Sequence, residues 1–238
     1  AQGNSTLKPA TIWDRDQYLN IWTVRFGAPD DGLLGFAQFP GGPANTDGVV
    51  NAYYTTGSLA NPNPDPAGGG VYNKGRTMTH EVGHWLNLLH IWGDANCGDD
   101  LVADTPIHET DNGGCPSHPK TNMCSGTITE MFMNYMDYTN DDYCTMFSKG
   151  QVAIFDETLV GDTAQYGFRM HIWSDDNIAA TGTADGYLAP TCTKKVFFDE
   201  NLSHCSLCLG SPNVLKGNKP IFSSITKWEW DFGDGTTN

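Results

Sequence analysis

The sequence predicts an α+β fold, and three observations predict it. Residues 12–56 hold three runs rich in β-formers with turns between them. From about Gly75 onward, apolar residues recur at helical spacing. A cysteine-containing stretch with no periodicity then leads to a second helix with its own capping signal. With 238 residues, the chain can hold one large core and part of a second domain.

The strand candidates are Tyr18–Val24, Leu33–Phe39 and Val49–Thr55, the second stopped by Pro40-Gly41-Gly42. Residues 57–70 carry Pro62, Pro64, Pro66 and three consecutive glycines, and read as an exposed loop. In the first helix Met78, Val82, Trp85, Leu86 and Leu89 fall at spacings of three and four, which predicts one buried side. Residues 94–142 show no period. Ser148-Lys-Gly-Gln151 matches a capping box and predicts a helix to about Val160. A short helical segment is expected around Ala164–Trp173. Near residue 188 the character changes. Residues 189–238 end in Thr226-Lys-Trp-Glu-Trp-Asp-Phe-Gly-Asp-Gly235, where alternating Trp228, Trp230 and Phe232 precede a turn, as in a half-buried strand of a β-sandwich. Two domains follow, residues 1–188 and a partial one at 189–238.

Composition narrows the function classes. Charged residues are only 17% against 39% hydrophobic, a globular rather than disordered balance. A net charge of -15 repels phosphates and argues against nucleic acid. The same acidity fits an extracellular protein and calcium binding equally well. No run of about 18 apolar residues is present, so no membrane span is expected. Ala1-Gln-Gly-Asn4 lacks a basic segment followed by an apolar one, so no signal peptide is read there. Four of the seven cysteines, Cys97, Cys115, Cys124 and Cys144, lie in the loop-rich stretch without a CxxC pair. They read as disulfide-forming, which implies an oxidising compartment, and three pairings are open. Cys192, Cys205 and Cys208 make the total odd, leaving one thiol without a partner inside the chain.

The chemistry concentrates in His80-Glu81-Val82-Gly83-His84-Trp85-Leu86-Asn87-Leu88-Leu89-His90. On a helix His80 and His84 stand one turn apart on one face, where two imidazoles can hold one zinc ion. Glu81 is turned from that axis and is free to handle a water. His90 in a continuous helix would lie about 240° further around and about 9 Å along, out of reach. The helix must therefore end and the chain must turn. Asn87 sits where the turn is needed, and Asn adopts the left-handed backbone that ends helices more readily than other non-glycine residues. Three nitrogens leave zinc a fourth position, the arrangement of a catalytic site. Glu81 is the candidate general base.

These residues resemble the metzincin metallopeptidases, whose pattern is HExxHxxGxxH followed by a methionine-containing turn; Asn87 stands here in place of the usual Gly. Within them the chain is similar to the pappalysin (cytophagalysin) family, on HEVGHWL at 80–86, NYMDY at 134–138 and Asp99-Asp-Leu-Val-Ala-Asp-Thr-Pro106. The resemblance spans residues 12–188. It implies a metzincin-like domain: a twisted mixed sheet, the zinc helix and a loop-rich lower half. It implies Met136 beneath the zinc ligands, Tyr138 as an oxyanion stabiliser, and Gly35, Phe36 and Ala37 as a rim that binds an extended peptide as an added strand. It also implies calcium held by Asp99, Asp100, Asp104 and Thr105, and disulfides Cys97–Cys124 and Cys115–Cys144. The tail resembles a polycystic-kidney-disease-type (PKD) module. The expected protein is a secreted zinc endopeptidase acting on proteins or peptides. It is expected to be monomeric, without nucleic-acid or membrane partners, and broad or basic-tolerant in specificity.

Overall fold

A computed structural model describes residues 3–68, 70–124, 128–161 and 169–183. The predicted tail domain, its PKD-like strand and Cys192, Cys205 and Cys208 lie outside the described residues. The elements are a π-turn Gly3–Leu7 running into α1 (Lys8–Thr11), β1 (Ile21–Val24), β2 (Gly35–Ala37), β3 (Val49–Ala52), α2 (Arg76–Trp85), β4 (Thr121–Asn122), β5 (Ile128–Thr129), α3 (Lys149–Val160) and α4 (Asp175–Thr181). No helix among the described residues is long and apolar enough to cross a membrane.

The three predicted strands form one mixed sheet in the order β1-β3-β2. β3 is the centre and is buried along its whole length. It pairs parallel with β1 (Trp22 opposite Val50) and antiparallel with β2 (Phe36 opposite Val50). β2 is therefore an edge strand, and no strand among the described residues pairs with its outer side. Lys8 holds α1 against the sheet: its buried ammonium donates to the Thr46 carbonyl at 3.0 Å and lies over the Trp22 and Phe36 rings. Burial pushes the Lys8 amine below its usual value, with Asp47 opposing.

Helix α2 differs from its predicted burial. Met78, Val82 and Leu86 are only half-buried and line an apolar groove with Phe147 and Phe155. The deepest side is the polar one, carrying Thr77, His80, Glu81 and His84. That side is covered by the sheet and by the turn around Met136, whereas the apolar side faces the groove with Phe147 and Phe155. Likewise Leu88, not Leu89, is the fully buried leucine, in a cluster with Ile91, Trp92 and Met136. Met136 is completely buried, as the resemblance implied. Gly83 is what lets the helix settle on it, because a Cβ there would collide with the Met136 sulfur.

The capping box is present: Ser148 Oγ accepts from the Gln151 N–H and Gln151 Oε1 accepts from the Ser148 N–H. Of the helix expected at 164–173, the described part is a 3₁₀ turn, Arg169–His171. Arg169 is buried there against Asp47, the Gln38 carbonyl and the Trp85 ring. Helix α4 was not predicted, although Ser174 caps its N-terminus and Gly182 (φ 71°) its end.

The loop half is held by a disulfide, Cys97–Cys124, joining positions 27 apart in sequence. Such a bond contributes about 3 kcal/mol through the loop entropy it removes from the unfolded chain. The second expected bridge is not formed. Cys115 is an exposed thiol and Cys144 a buried one. Cys144 Sγ is instead engaged with the Thr139 hydroxyl and carbonyl, while the phenol of Tyr143 bonds to Cys115.

Beneath these loops lies a buried polar cluster. Glu130 accepts from the Glu109 N–H (2.9 Å), Asn122 Nδ2 (2.8 Å), Asn112 Nδ2 (3.0 Å) and Lys120 Nζ (2.6 Å). Burial alone would raise its pKa, but the four donors outweigh it and hold the carboxyl at about 2. A folded value below the unfolded one stabilises the protein above about pH 4.5, and that contribution is lost as pH falls toward 2. In urea titrations, the stability gap between wild type and Glu130→Gln should be constant above pH 5 and close as pH falls from 4.5 toward 2. A gap that never closes would mean the carboxylate charge is not what the cluster stabilises.

Candidate metal centre and cleft

Helix α2 puts His80 and His84 one turn apart, and the helix then stops as predicted. Asn87 has φ 77°. Its N–H reaches the His84 carbonyl at 2.9 Å, and the Leu88 N–H reaches the Gly83 carbonyl at 3.0 Å. This pair of bonds is a Schellman ending with Asn in the left-handed position. The reversed chain brings His90 back. His84 Nε2 lies 3.0 Å from His80 Nε2 and 3.1 Å from His90 Nε2. All three ligand atoms fall within 4.8 Å of one another, and they form the one metal-competent group of this kind among the described residues.

The other ring nitrogens decide the protonation state. His80 Nδ1 meets the Tyr135 carbonyl at 2.7 Å, His84 Nδ1 the Leu88 carbonyl at 2.7 Å, and His90 Nδ1 an Asp94 carboxylate oxygen at 2.5 Å. Each partner can only accept, so each Nδ1 carries the hydrogen and each neutral Nε2 presents a lone pair. Burial, reinforced by the neighbouring imidazoles, pushes His80 down to about 3. Burial with His90 takes His84 to about 4, against the Leu88 bond. His84 Nε2 thus lies within 3.1 Å of both other Nε2 atoms. A cation accepting all three satisfies them, and three nitrogens with oriented second partners suit zinc.

Glu81 is buried beside this centre, and no described residue bonds to its carboxylate. Burial alone pushes it up to about 8. Its position depends on β2: a Cβ at Gly35 would sit 2.8 Å from Glu81 Cγ and Oε1. The edge strand thus lies directly against the carboxylate. Between them opens a cavity of about 280 Å³. Leu33, Leu34, Tyr72, Arg76 and Asp141 line it. Tyr138 closes one side, its hydroxyl 3.0 Å from His90 Nε2 and its ring against Trp92 and His90. Burial, then the Glu81 charge, raise the Tyr138 phenol to about 12, so it stays protonated at neutral pH.

Phe36 and Ala37 lie on the same edge strand as Gly35. The acidic loop behaves differently from the calcium expectation. Asp99 caps the Leu101 N–H, and Asp100 takes the Val102 N–H and the Thr105 hydroxyl. Asp104 takes Ser148 Oγ and the Gly150 N–H, fastening the start of α3. These carboxylates serve as caps and are not gathered as a three-oxygen group. Sequence reasoning missed Asp94, the orienting partner of His90 four residues on, and Trp92, stacked on the His90 ring at 4.3 Å. An acid following a ligand histidine was the available signal for Asp94. Tyr72, which donates to the Tyr138 carbonyl at 3.1 Å, left none.

Three oriented imidazoles over a buried methionine, with an unpaired glutamate under a sheet edge, define a metallopeptidase-type centre. Residues 4–160 match the Peptidase M43 family model, described as pregnancy-associated plasma protein-A, and the chain belongs to that family. It is 36% identical over 128 residues to an extracellular metalloprotease of Arthroderma gypseum, covering 51% of this chain and 41% of that one. It is 35% identical over 124 residues to extracellular metalloprotease 1 of Coccidioides posadasii, covering 50% and 42%. The chain thus spans about two fifths of the length of these relatives. Among solved structures it is similar to Tannerella forsythia mature mirolysin in complex with a cleaved peptide, with 45% identity and TM-score 0.59, covering 73% of this chain and 61% of that one. A complex of mirolysin with a small compound matches at 47% identity and TM-score 0.56, covering 68% and 57%.

The left-handed stop yields a direct test. Asn87→Gly should leave zinc affinity and melting temperature near wild type. Asn87→Val should cost about 1–2 kcal/mol and weaken zinc binding, because His90 returns only through that turn. Equal behaviour of the two variants in calorimetry and zinc titration would refute the role of the turn.

Proposed function

We propose that this chain is the catalytic part of a secreted zinc endopeptidase that hydrolyses peptide bonds in proteins. The observation that carries the reading is the convergence of three neutral imidazole nitrogens beside a buried carboxylate with no partner, under an unpaired strand edge. The extracellular relatives and the cysteine usage support secretion.

His80, His84 and His90 would hold the metal, with Nδ1 bonds that keep each ring aimed. A bound zinc ion supplies Lewis acidity toward a carbonyl oxygen and lowers the pKa of a water to about 7. The protein residues do the rest. An extended substrate aligns antiparallel to Gly35–Ala37 through backbone hydrogen bonds, with one side chain entering the cavity. Glu81 takes a proton from the attacking water at its carboxylate and returns it to the leaving nitrogen. A carboxyl raised by burial is poised for both transfers near neutral pH. The Tyr138 hydroxyl, kept protonated, donates to the oxygen that gains charge. Arg76 and Asp141 both line the cavity, which supports a broad specificity that tolerates basic side chains.

Glu81→Gln should keep one zinc per chain by metal analysis and lose roughly 10³-fold in cleavage of casein or a quenched peptide. Retained activity would remove Glu81 as the base. Gly35→Ala should also lose activity, because the added methyl displaces the Glu81 side chain, and full activity there would place the carboxylate elsewhere during turnover.

A further inference from the structure

We propose that Asp137, acting with Asn112, is a positioning residue that sets the Tyr138 hydroxyl over the imidazole centre; this rests on the reading of Tyr138 given above. Asp137 is buried, and no lysine or arginine among the described residues forms an ion pair with it. Its charge is met by donors alone. Oδ1 accepts the Asn112 N–H at 2.7 Å and the Tyr138 N–H at 2.9 Å. Oδ2 accepts Asn112 Nδ2 at 2.7 Å. His108 lies beside the pair: its Nε2 accepts the Met131 N–H, and its Nδ1 is 3.4 Å from Asn112 Nδ2 and 3.5 Å from Asp137 Oδ2.

The carboxylate therefore fixes the backbone of the residue that bears the phenol. Tyr72 pins the other side of the same residue, through its carbonyl. Asn112 is held in turn by Glu130. A chain of bonds thus runs from the loop at 108–112 to the Tyr138 N–H, two residues after the buried Met136. Every partner of Asp137 is a donor. An amide in its place would set an NH₂ against donors and release at least one of them.

The test uses the zinc-loaded enzyme and a quenched peptide. Asp137→Asn should keep zinc content and KM near wild type and lower kcat by about 10²-fold, the scale of a misplaced catalytic group. Hydrogen exchange at the Tyr138 amide should quicken while exchange in α2 is unchanged. In the Tyr138→Phe background the same substitution should cost almost nothing further, since the group it positions is gone. Asn112→Ser, which keeps the backbone N–H and loses the Nδ2 donors, serves as the second variant if the first does not fold, with the same non-additivity expected. Equal losses in both backgrounds would overturn the proposal and leave the Tyr138 reading intact. Full kcat in Tyr138→Phe alone would overturn both, while a dead Glu81→Gln would still support the peptidase reading.

Discussion

The site depends on three imidazoles being denied a choice of tautomer. Two backbone carbonyls and one carboxylate hold the Nδ1 hydrogens, so the Nε2 atoms turn toward one another, with the Tyr138 hydroxyl beside that of His90. Such an arrangement is repulsive without a cation and strongly attractive with one. The acceptors that hold this geometry come from separate places. Leu88 belongs to the helix ending, Tyr135 to the turn at Met136, and Asp94 to the loop after His90. Metal affinity is thereby linked to the integrity of three segments at once.

The substrate side is coupled to the same centre through one missing methyl group. Gly35 leaves room for Glu81, and Glu81 stands beside His80 in sequence and against β2 in space. The edge that would receive a peptide and the carboxylate that would receive a proton are thus one packing unit. Lys8 braces the opposite face of that strand through Phe36, with its ammonium withdrawn from water and shared between two rings and a carbonyl. The rim is stiff on its inner side and free on its outer side, the combination that strand addition requires.

Much of this was legible in the sequence because it is carried by local chemistry. The helix, its stop at Asn87 and the capping box at Ser148 are each written within a few residues, and all three occur where the pattern placed them. Burial was less legible. The apolar stripe of α2 suggested which side is deep, yet the polar side is deeper, because a catalytic face is packed against the sheet by tertiary structure that periodicity does not encode. The acidic run Asp99–Asp104 reads equally as ligands or as caps, and only the position of α3 decides for Asp104. Cysteine spacing could not distinguish Cys144 bonded to Cys115 from Cys144 turned toward Thr139.

The chain also buries several carboxylates and gives them different surroundings by how many donors each receives. Glu130 receives four and is held at about 2. Asp137 receives three, from Asn112 and the Tyr138 N–H. Asp47 takes a guanidinium. Glu81 receives none, and burial lifts it to about 8. Carboxylates are thus pushed in opposite directions by the donors each receives, Glu130 down and Glu81 up. The one carboxylate of this set left without a partner is also the one beside the imidazoles. The desolvation cost of that choice, borne by a folded protein of marginal stability, is what the proposed proton transfer at that atom would account for.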